Sequence, residues 1–216
     1  MTYSVKEAFY SLQGEGAHTG RPAVFCRFTG CNLWSGRAAD RAGAICQFCD
    51  TDFIGTDGQH GGRFHSAEAL ADHILALWPE GCGHRYVIFT GGEPLLQLDT
   101  DLIQAMHARE FVVGVESNGT LAAPEGIDWL CVSPKGTSDV VVKHCDELKL
   151  VFPQSAAPPE RFSHIRATHR YLSPMNPYDA NRITPQSDHT QAAIAYCLAN
   201  PEWRLTLQTH KILGVD

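Results

Sequence analysis

Arg85-Tyr86-Val87-Ile88-Phe89-Thr90-Gly91-Gly92-Glu93-Pro94 is a run of β-branched and aromatic residues that ends in a polar, glycine-rich turn. The run has the composition of a strand. The pattern recurs along the chain. Residues 111–115 lead into Glu116-Ser117-Asn118-Gly119, residues 129–132 into Ser133-Pro134-Lys135, and residues 169–172 into Ser173-Pro174-Met175-Asn176. Residues 23–28 and 147–152 read as two more strands, and residues 203–207, followed by Gln208-Thr209-His210-Lys211, as a seventh. Helical patterns lie between some of them. Ser66 is an N-cap for a helix reaching Trp78, with Leu70, Ile74, Leu77 and Trp78 on one stripe and Pro79 as its stop. Residues 100–109, with Leu102, Ile103 and Met106 on the apolar face, and residues 187–199 predict two further helices. Strands alternating with helices predict a mainly parallel α/β sheet. Parallel strands gather their polar ends on one rim, where sites on such sheets form. Too few helices fit between the fourth and sixth strands for a full eightfold barrel.

The chain has 216 residues, which fits one domain spanning 1–216. Hydrophobic residues are 44% and charged residues 19%, which excludes extended disorder. The net charge of −7 gives no basic footprint for neutralising phosphates, so a small-molecule substrate is expected and a nucleic acid is not. The longest apolar run, residues 192–199, falls far short of the ~20 residues of a membrane-spanning helix. Met1-Thr2-Tyr3-Ser4-Val5-Lys6-Glu7 lacks the basic and apolar stretches of a secretory signal, so a cytosolic location is expected. In a reducing compartment the eight cysteines favour metal or catalytic use over disulfides.

Cys31, Cys46 and Cys49 form C-x14-C-x2-C. Three thiolates can hold an iron–sulfur cluster and leave one iron open, whereas a structural zinc site closes with four ligands. Cys26, five residues before Cys31, is the alternative fourth ligand for zinc, although strand alternation points it away from the Cys31 loop. Cys82, Cys131, Cys145 and Cys197 are scattered and read as small buried hydrophobes.

Six segments carry a wider likeness: Tyr10-Ser11-Leu12-Gln13-Gly14-Glu15-Gly16, residues 25–34, Cys46-Gln47-Phe48-Cys49-Asp50-Thr51, Thr90-Gly91-Gly92-Glu93-Pro94, Glu116-Ser117-Asn118-Gly119 and Gln208-Thr209-His210-Lys211. In this order they run almost end to end, and the sequence resembles the radical S-adenosylmethionine (SAM) superfamily. Within it, the sequence resembles the 7-carboxy-7-deazaguanine synthase family. One departure stands out. The superfamily spaces its cysteines C-x3-C-x2-C, but Ser35 stands where the second would fall, and residues 36–45 intervene before Cys46.

The resemblance implies an open, partial β/α barrel of six to seven mostly parallel strands with few helices. It implies that Cys31, Cys46 and Cys49 hold a [4Fe–4S] cluster whose fourth iron is chelated by SAM, and that one electron then yields a 5′-deoxyadenosyl radical. Phe48, Asp50, Gly91, Gly92, Glu93, Glu116, Asn118, Ser133, Lys135, Ser173 and Asn176 are the expected SAM contacts. The glycines would let the backbone approach SAM. Thr51, in the oxygen-rich run Asp50-Thr51-Asp52, is the expected Mg²⁺ ligand. The implied substrate is 6-carboxy-5,6,7,8-tetrahydropterin, contracted to 7-carboxy-7-deazaguanine, a queuosine precursor, with loss of ammonia. Leu12, Gln13, Gly14, Glu15, Arg27, Thr90, His210 and Asp216 are its expected contacts, with Arg27 as a bidentate fork for the carboxylate. A flavodoxin-type reductase as electron donor and a homodimer are implied as well. The rival readings are a glycyl-radical activase and a non-catalytic zinc-binding module.

Overall fold

Period-two alternation sorts the strands into two chemically different faces. In β2 (Pro22–Phe28), Val24, Cys26 and Phe28 are fully buried in an apolar core, while Phe25 and Arg27 turn to the other face and line a cavity. The same split holds in β4 (Tyr86–Gly91), β5 (Val112–Ser117), β6 (Trp129–Val132) and β7 (His144–Phe152). Val87, Phe89, Val113, Val115, Val132, Leu148 and Leu150 enter the core, and Thr90, Glu116 and Lys149 face the cavity. The computed structural model describes residues 2–175 and 188–215.

One nine-stranded sheet organises the fold, in the order β3-β1-β2-β4-β5-β6-β7-β8-β9. The remaining strands are β1 (Tyr3–Leu12), β3 (Gly62–Phe64), β8 (Arg166–Pro174) and β9 (Arg204–Leu205). From β2 to β9 every pairing is parallel. β1 runs antiparallel to both β2 and β3. The sheet stays open, with β3 and β9 at its edges. The seven expected strands are therefore the parallel ones. β1 lacks a legible period because its register shifts between Val5 and Glu7, so Val5 and Lys6 are both buried.

Helices α1 (Ala67–Leu77), α2 (Thr100–His107) and α3 (Asp188–Ala199) cover the outer face. The Ser66 hydroxyl accepts from Ala69 N, as the capping pattern predicts, and Asp99 caps α2 by accepting from Leu102 N. A short helix, α4 (Thr209–Leu213), stands where the sequence reads as a loop. Among the described residues no helix is long and apolar enough to cross a membrane.

The turn between β1 and β2 reaches across the concave face to the far side of the sheet. Gly16 N donates to Thr206 Oγ1 at 2.8 Å, and Ala17 N donates to Glu147 Oε2 at 2.9 Å. Gly16 has φ +70°, and a Cβ there would strike the Glu147 carboxylate, so only glycine fits. Of the scattered cysteines, Cys145 and Cys197 pack against the apolar core as expected, and Cys82 departs from it. Cys131 is buried but faces inward, its thiol donating to Glu147 Oε1 at 3.6 Å. Cys145 and Cys197 are half-buried, and Cys82 is exposed in the turn between α1 and β4, because no apolar face is presented there.

Leu102 is fully buried between sheet and helices, whereas Leu198 is 80% exposed on α3. Leu102→Ala is expected to lower stability by about 2–5 kcal/mol, and Leu198→Ala to change it by less than about 0.5 kcal/mol, read from urea midpoints.

Candidate functional site

The cysteine loop follows β2 and folds back on itself. Ile45 N and Cys46 N both donate to Leu33 O, which brings Cys46 and Cys49 beside Cys31 on the wall of one cavity. The inserted segment forms a short 3₁₀ turn, Ala38–Gly43. Ser35, at the position of a missing cysteine, is used inside that segment: its hydroxyl donates to Asp40 Oδ2 at 2.6 Å and accepts from Arg37 N at 3.2 Å. Arg41 lies over the Trp34 ring at 3.9 Å, and its Nη1 donates to Gln47 O at 2.9 Å and Cys49 O at 3.0 Å. The insert thus braces the last two cysteines.

The thiol chemistry suits a thiolate-bound group. The Cys46 thiol hydrogen-bonds Cys49 and pulls the Cys49 pKa down, with the Thr51 backbone and Lys135 assisting against burial. Cys46 itself is pushed up by that shared proton and by burial, and Cys31 by burial. Cys26 lies on the opposite face of β2 among Val24 and Phe28, and joining the loop cysteines would require turning the strand over. Among the described residues no group of three or more His, Cys, Asp and Glu converges tightly enough for a single metal ion. Three cysteines around an open cavity, with no fourth cysteine beside them among the described residues, fit an iron–sulfur cluster better than closed zinc.

Behind this loop stands Glu93, fully buried. Its carboxylate accepts from Ser117 Oγ at 2.8 Å, Asn118 N at 2.8 Å and Leu95 N at 3.0 Å. Its own N–H donates to Gly30 O at 2.9 Å. Glu93 therefore ties β4, β5 and the cysteine loop together, and its carboxylate is engaged inside the protein rather than in the cavity lining. Gly91 and Gly92 line the cavity, yet the immediate reason for glycine is internal. A Cβ on Gly91 would strike the Phe28 backbone, and one on Gly92 would strike Gly30 O and stand 2.8 Å from Cys31 Cβ. Asn118 is occupied in the same way, its Nδ2 donating to Asn32 Oδ1 at 2.9 Å.

The cavity has a volume of about 460 Å³, within the ~300–1,000 Å³ range of small-molecule sites. Cys31, Cys46, Phe48, Cys49, Asp50, Thr51, Gly91, Gly92, Glu116, Asn118, Ser133, Lys135 and Ser173 line it. So do Leu12, Gln13, Gly14, Glu15, Arg27, Thr90 and His210. Asn176 and Asp216 lie outside the described residues. Of the expected residues that are described, Glu93 alone is absent from the lining.

Several partners depart from expectation. Arg27 gives its Nε to Glu7 Oε1 at 2.8 Å, so only its terminal nitrogens remain for a carboxylate. The Lys135 ammonium is held by Ser133, through its carbonyl at 2.7 Å and its hydroxyl. Glu116 belongs to the floor: it accepts from Gln13 Nε2 at 3.0 Å and pairs with Lys149 Nζ at 3.2 Å. Burial works against its charge, but Lys149, Gln13 and Arg27 outweigh that and hold the carboxyl below its ordinary range. The aspartates flanking Thr51 are both taken, Asp50 by Lys211 and Asp52 by Lys6.

The chain's end completes the rim. Thr209 donates to Gly14 O through both its N–H, at 3.0 Å, and its hydroxyl, at 2.8 Å, and the His210 ring packs on Gly14 so closely that a Cβ has no room. Burial lowers the His210 pKa. Sequence reasoning missed Glu7, Lys149 and Lys211. For Lys149 a signal existed: Glu147-Leu148-Lys149-Leu150 alternates charge with leucine inside a strand, which marks a polar inner face.

The pattern of the radical SAM superfamily matches residues 40–149. The 7-carboxy-7-deazaguanine synthase of Bordetella pertussis is 60% identical over 215 residues, and the match covers 100% of both chains. That of Bradyrhizobium diazoefficiens is 58% identical, again over 100% of each chain. A crystal structure of QueE from Escherichia coli shares the fold at a TM-score of 0.65 and 24% identity, covering 96% of this chain and 94% of that one. Full-length identity at this level, on a fold that brings the three cysteines to one cavity, makes this chain a member of the 7-carboxy-7-deazaguanine synthase family of the radical SAM superfamily.

Proposed function

We propose that the protein converts 6-carboxy-5,6,7,8-tetrahydropterin to 7-carboxy-7-deazaguanine, contracting the reduced ring and releasing ammonia on the route to deazapurines such as queuosine. One observation carries this reading: a single cavity has three cysteines on its wall and a floor of carboxylates with one buried ammonium. Its full-length relatives named 7-carboxy-7-deazaguanine synthase support it. Cys31, Cys46 and Cys49 would hold the [4Fe–4S] cluster, and Phe48, Ser133, Lys135 and Ser173, which line the same cavity, would contact SAM. Together these two groups, when bound, supply the electron and the radical that open a substrate C–H bond.

The chain's residues bind, orient and exclude water. Arg27 turns its terminal nitrogens to the substrate carboxylate, with Glu7 fixing the plane of the guanidinium through Nε. Glu15 and Gln13 meet the aminopyrimidine edge, whose N–H groups need acceptors. Thr90, at the end of β4 beside Arg27, and His210, on α4, close the sides. Such positioning is the protein's main contribution when a cofactor carries the chemistry. An activase would need an exposed docking face for a protein partner, whereas the charged groups here lie inside the sheet. On the pattern of its family the enzyme works in the cytosol as a homodimer and takes electrons from a flavodoxin-type reductase.

Thr51 ligates Mg²⁺ in this proposal. With Asp50 and Asp52 engaged by lysines, its hydroxyl has no hydrogen-bond partner among the described residues. Magnesium keeps several waters, so one protein oxygen and substrate oxygens suffice. The ion would orient the substrate carboxylate.

The function is tested by anaerobic incubation with the carboxytetrahydropterin, SAM and a reductant. The product and one equivalent of ammonia are expected, and SAM cleavage without either would sink the proposal. Cys31→Ala, Cys46→Ala and Cys49→Ala should each lose the iron and sulfide of the purified protein, while Cys26→Ala and Cys82→Ala keep them. EDTA should slow turnover without bleaching the cluster. Thr51→Val should blunt the response to Mg²⁺, and Thr51→Ser should retain part of it.

A further inference from the structure

Lys149 stands in the middle of β7 with its side chain 7% exposed, on the concave face of the sheet. Its Nζ is 2.8 Å from Glu15 Oε2 and 3.2 Å from Glu116 Oε1. Three distant segments supply this trio: the turn after β1, the end of β5 and the interior of β7. Gln13 ties the Glu116 carboxylate to the Glu15 backbone, donating from Nε2 to Glu116 Oε1 at 3.0 Å and accepting from Glu15 N at 3.1 Å. All four residues line the cavity.

Resting on the function proposed above, we infer that Lys149 is a positioning residue that keeps Glu15 and Glu116 together as an ionised pair at the cavity floor, set to accept from the N–H edge of the pterin. Two carboxylates converging on one partly buried spot repel each other, and without a cation one of them takes up a proton. A protonated carboxyl loses acceptor capacity where an aminopyrimidine presents only donors on that side. Lys149 removes the conflict, and Lys149 itself stays charged because Glu116 and Glu15 more than offset its burial. The other groups facing the trio do not replace it. Arg27 is tied to Glu7 and assists Glu116 only as the least of its partners, Cys131 and Glu147 lie below as a donor–acceptor pair, and the His210 pKa is lowered by burial. Burial also raises the Glu147 pKa, against the pull of Lys149 and the Ala17 N–H, and its carboxylate is already engaged by Ala17 and Cys131. An ion pair serving only the fold would leave no mark on substrate affinity that varies with pH.

The test is Lys149→Met, with Lys149→Met combined with Glu116→Gln as the second variant. In Lys149→Met the KM for the pterin is expected to rise roughly ten- to a hundredfold at neutral pH, the scale of a lost charge-assisted hydrogen bond. Relative to wild type, the rise should grow as the pH falls from about 8 to about 6, because the uncompensated carboxylate protonates there. The KM for SAM and the iron content should stay at wild-type values. The double variant, with one carboxylate removed, should lose the pH dependence. A ligand-free infrared titration should show a protonated-carboxyl band in Lys149→Met over the same interval and none in wild type or in the double variant. A pH-independent KM ratio in Lys149→Met, or the absence of that band, overturns the inference. Absence of pterin turnover by wild type overturns the functional reading instead, and the infrared titration then still decides the role of Lys149. If Lys149→Met does not fold, the double variant compared with Glu116→Gln alone decides. Equal pterin KM values in these two support the inference, since without the second carboxylate no repulsion is left for Lys149 to offset, and a higher KM in the double variant overturns it.

Discussion

Successive residues of a strand point to opposite faces, and in this sheet the two faces are chemically opposite. Outward side chains such as Val24, Val87, Val113, Val132 and Leu148 build the core under the helices. Inward side chains at neighbouring positions are Arg27, Thr90, Glu116, Ser133 and Lys149. A buried ammonium or carboxylate is costly unless it is paired and hydrogen-bonded. The polar face therefore depends on the turn between β1 and β2, which brings Gln13, Glu15 and the Ala17 N–H to the charges of β5 and β7, and the Gly16 N–H to the Thr206 hydroxyl beyond β9. The site follows from that closure: charges that must be satisfied internally also define a concave, partly dry surface where directional contacts are strong.

The upper half of the cavity is held by a different device. Glu93 joins the end of β4 to the end of β5 and, through its N–H, to Gly30 beside Cys31. Arg41, from the inserted segment, stacks on Trp34 and grips the carbonyls of Gln47 and Cys49. Lys6, from β1, pairs with Asp52 and Asp57 just beyond the last cysteine. The long spacing between Cys31 and Cys46 is thus compatible with a defined thiol arrangement, because the extra residues supply their own hydrogen bonds and a cation for the loop's carbonyls. Interactions of this outer kind orient metal ligands and tune their basicity.

Much of this was legible from the residues. The seven parallel strands read correctly from β-branched and aromatic runs, since strands buried on one face and flanked by turns have that composition. Capping by Ser66 was readable because it is local, with donor and acceptor three residues apart. β1 was not readable as a strand, since the register shift near Lys6 breaks the period of two. Gly92 lines the cavity as expected, but the contact that excludes a Cβ there, the backbone of Gly30, is not legible in the sequence. Glu93 looked like a ligand contact because it stands in a glycine-rich turn at a strand end, and only the position of Ser117 and Asn118 reveals it as a brace.

The sequence by itself determined the family, the three-cysteine donor set, the parallel strands and the rim that gathers their polar ends. Each of these depends on residue type and spacing within a short window, and such patterns survive in one dimension. Only the tertiary structure decided who satisfies whom. Gly16 meets Thr206 across 190 residues, Thr209 meets Gly14 across 195, and Lys149 meets Glu116 across 33. Whether a buried charge is a ligand contact, a brace or part of a compensated pair depends on which opposite charge the folded chain brings within hydrogen-bonding distance, and no local pattern encodes that meeting.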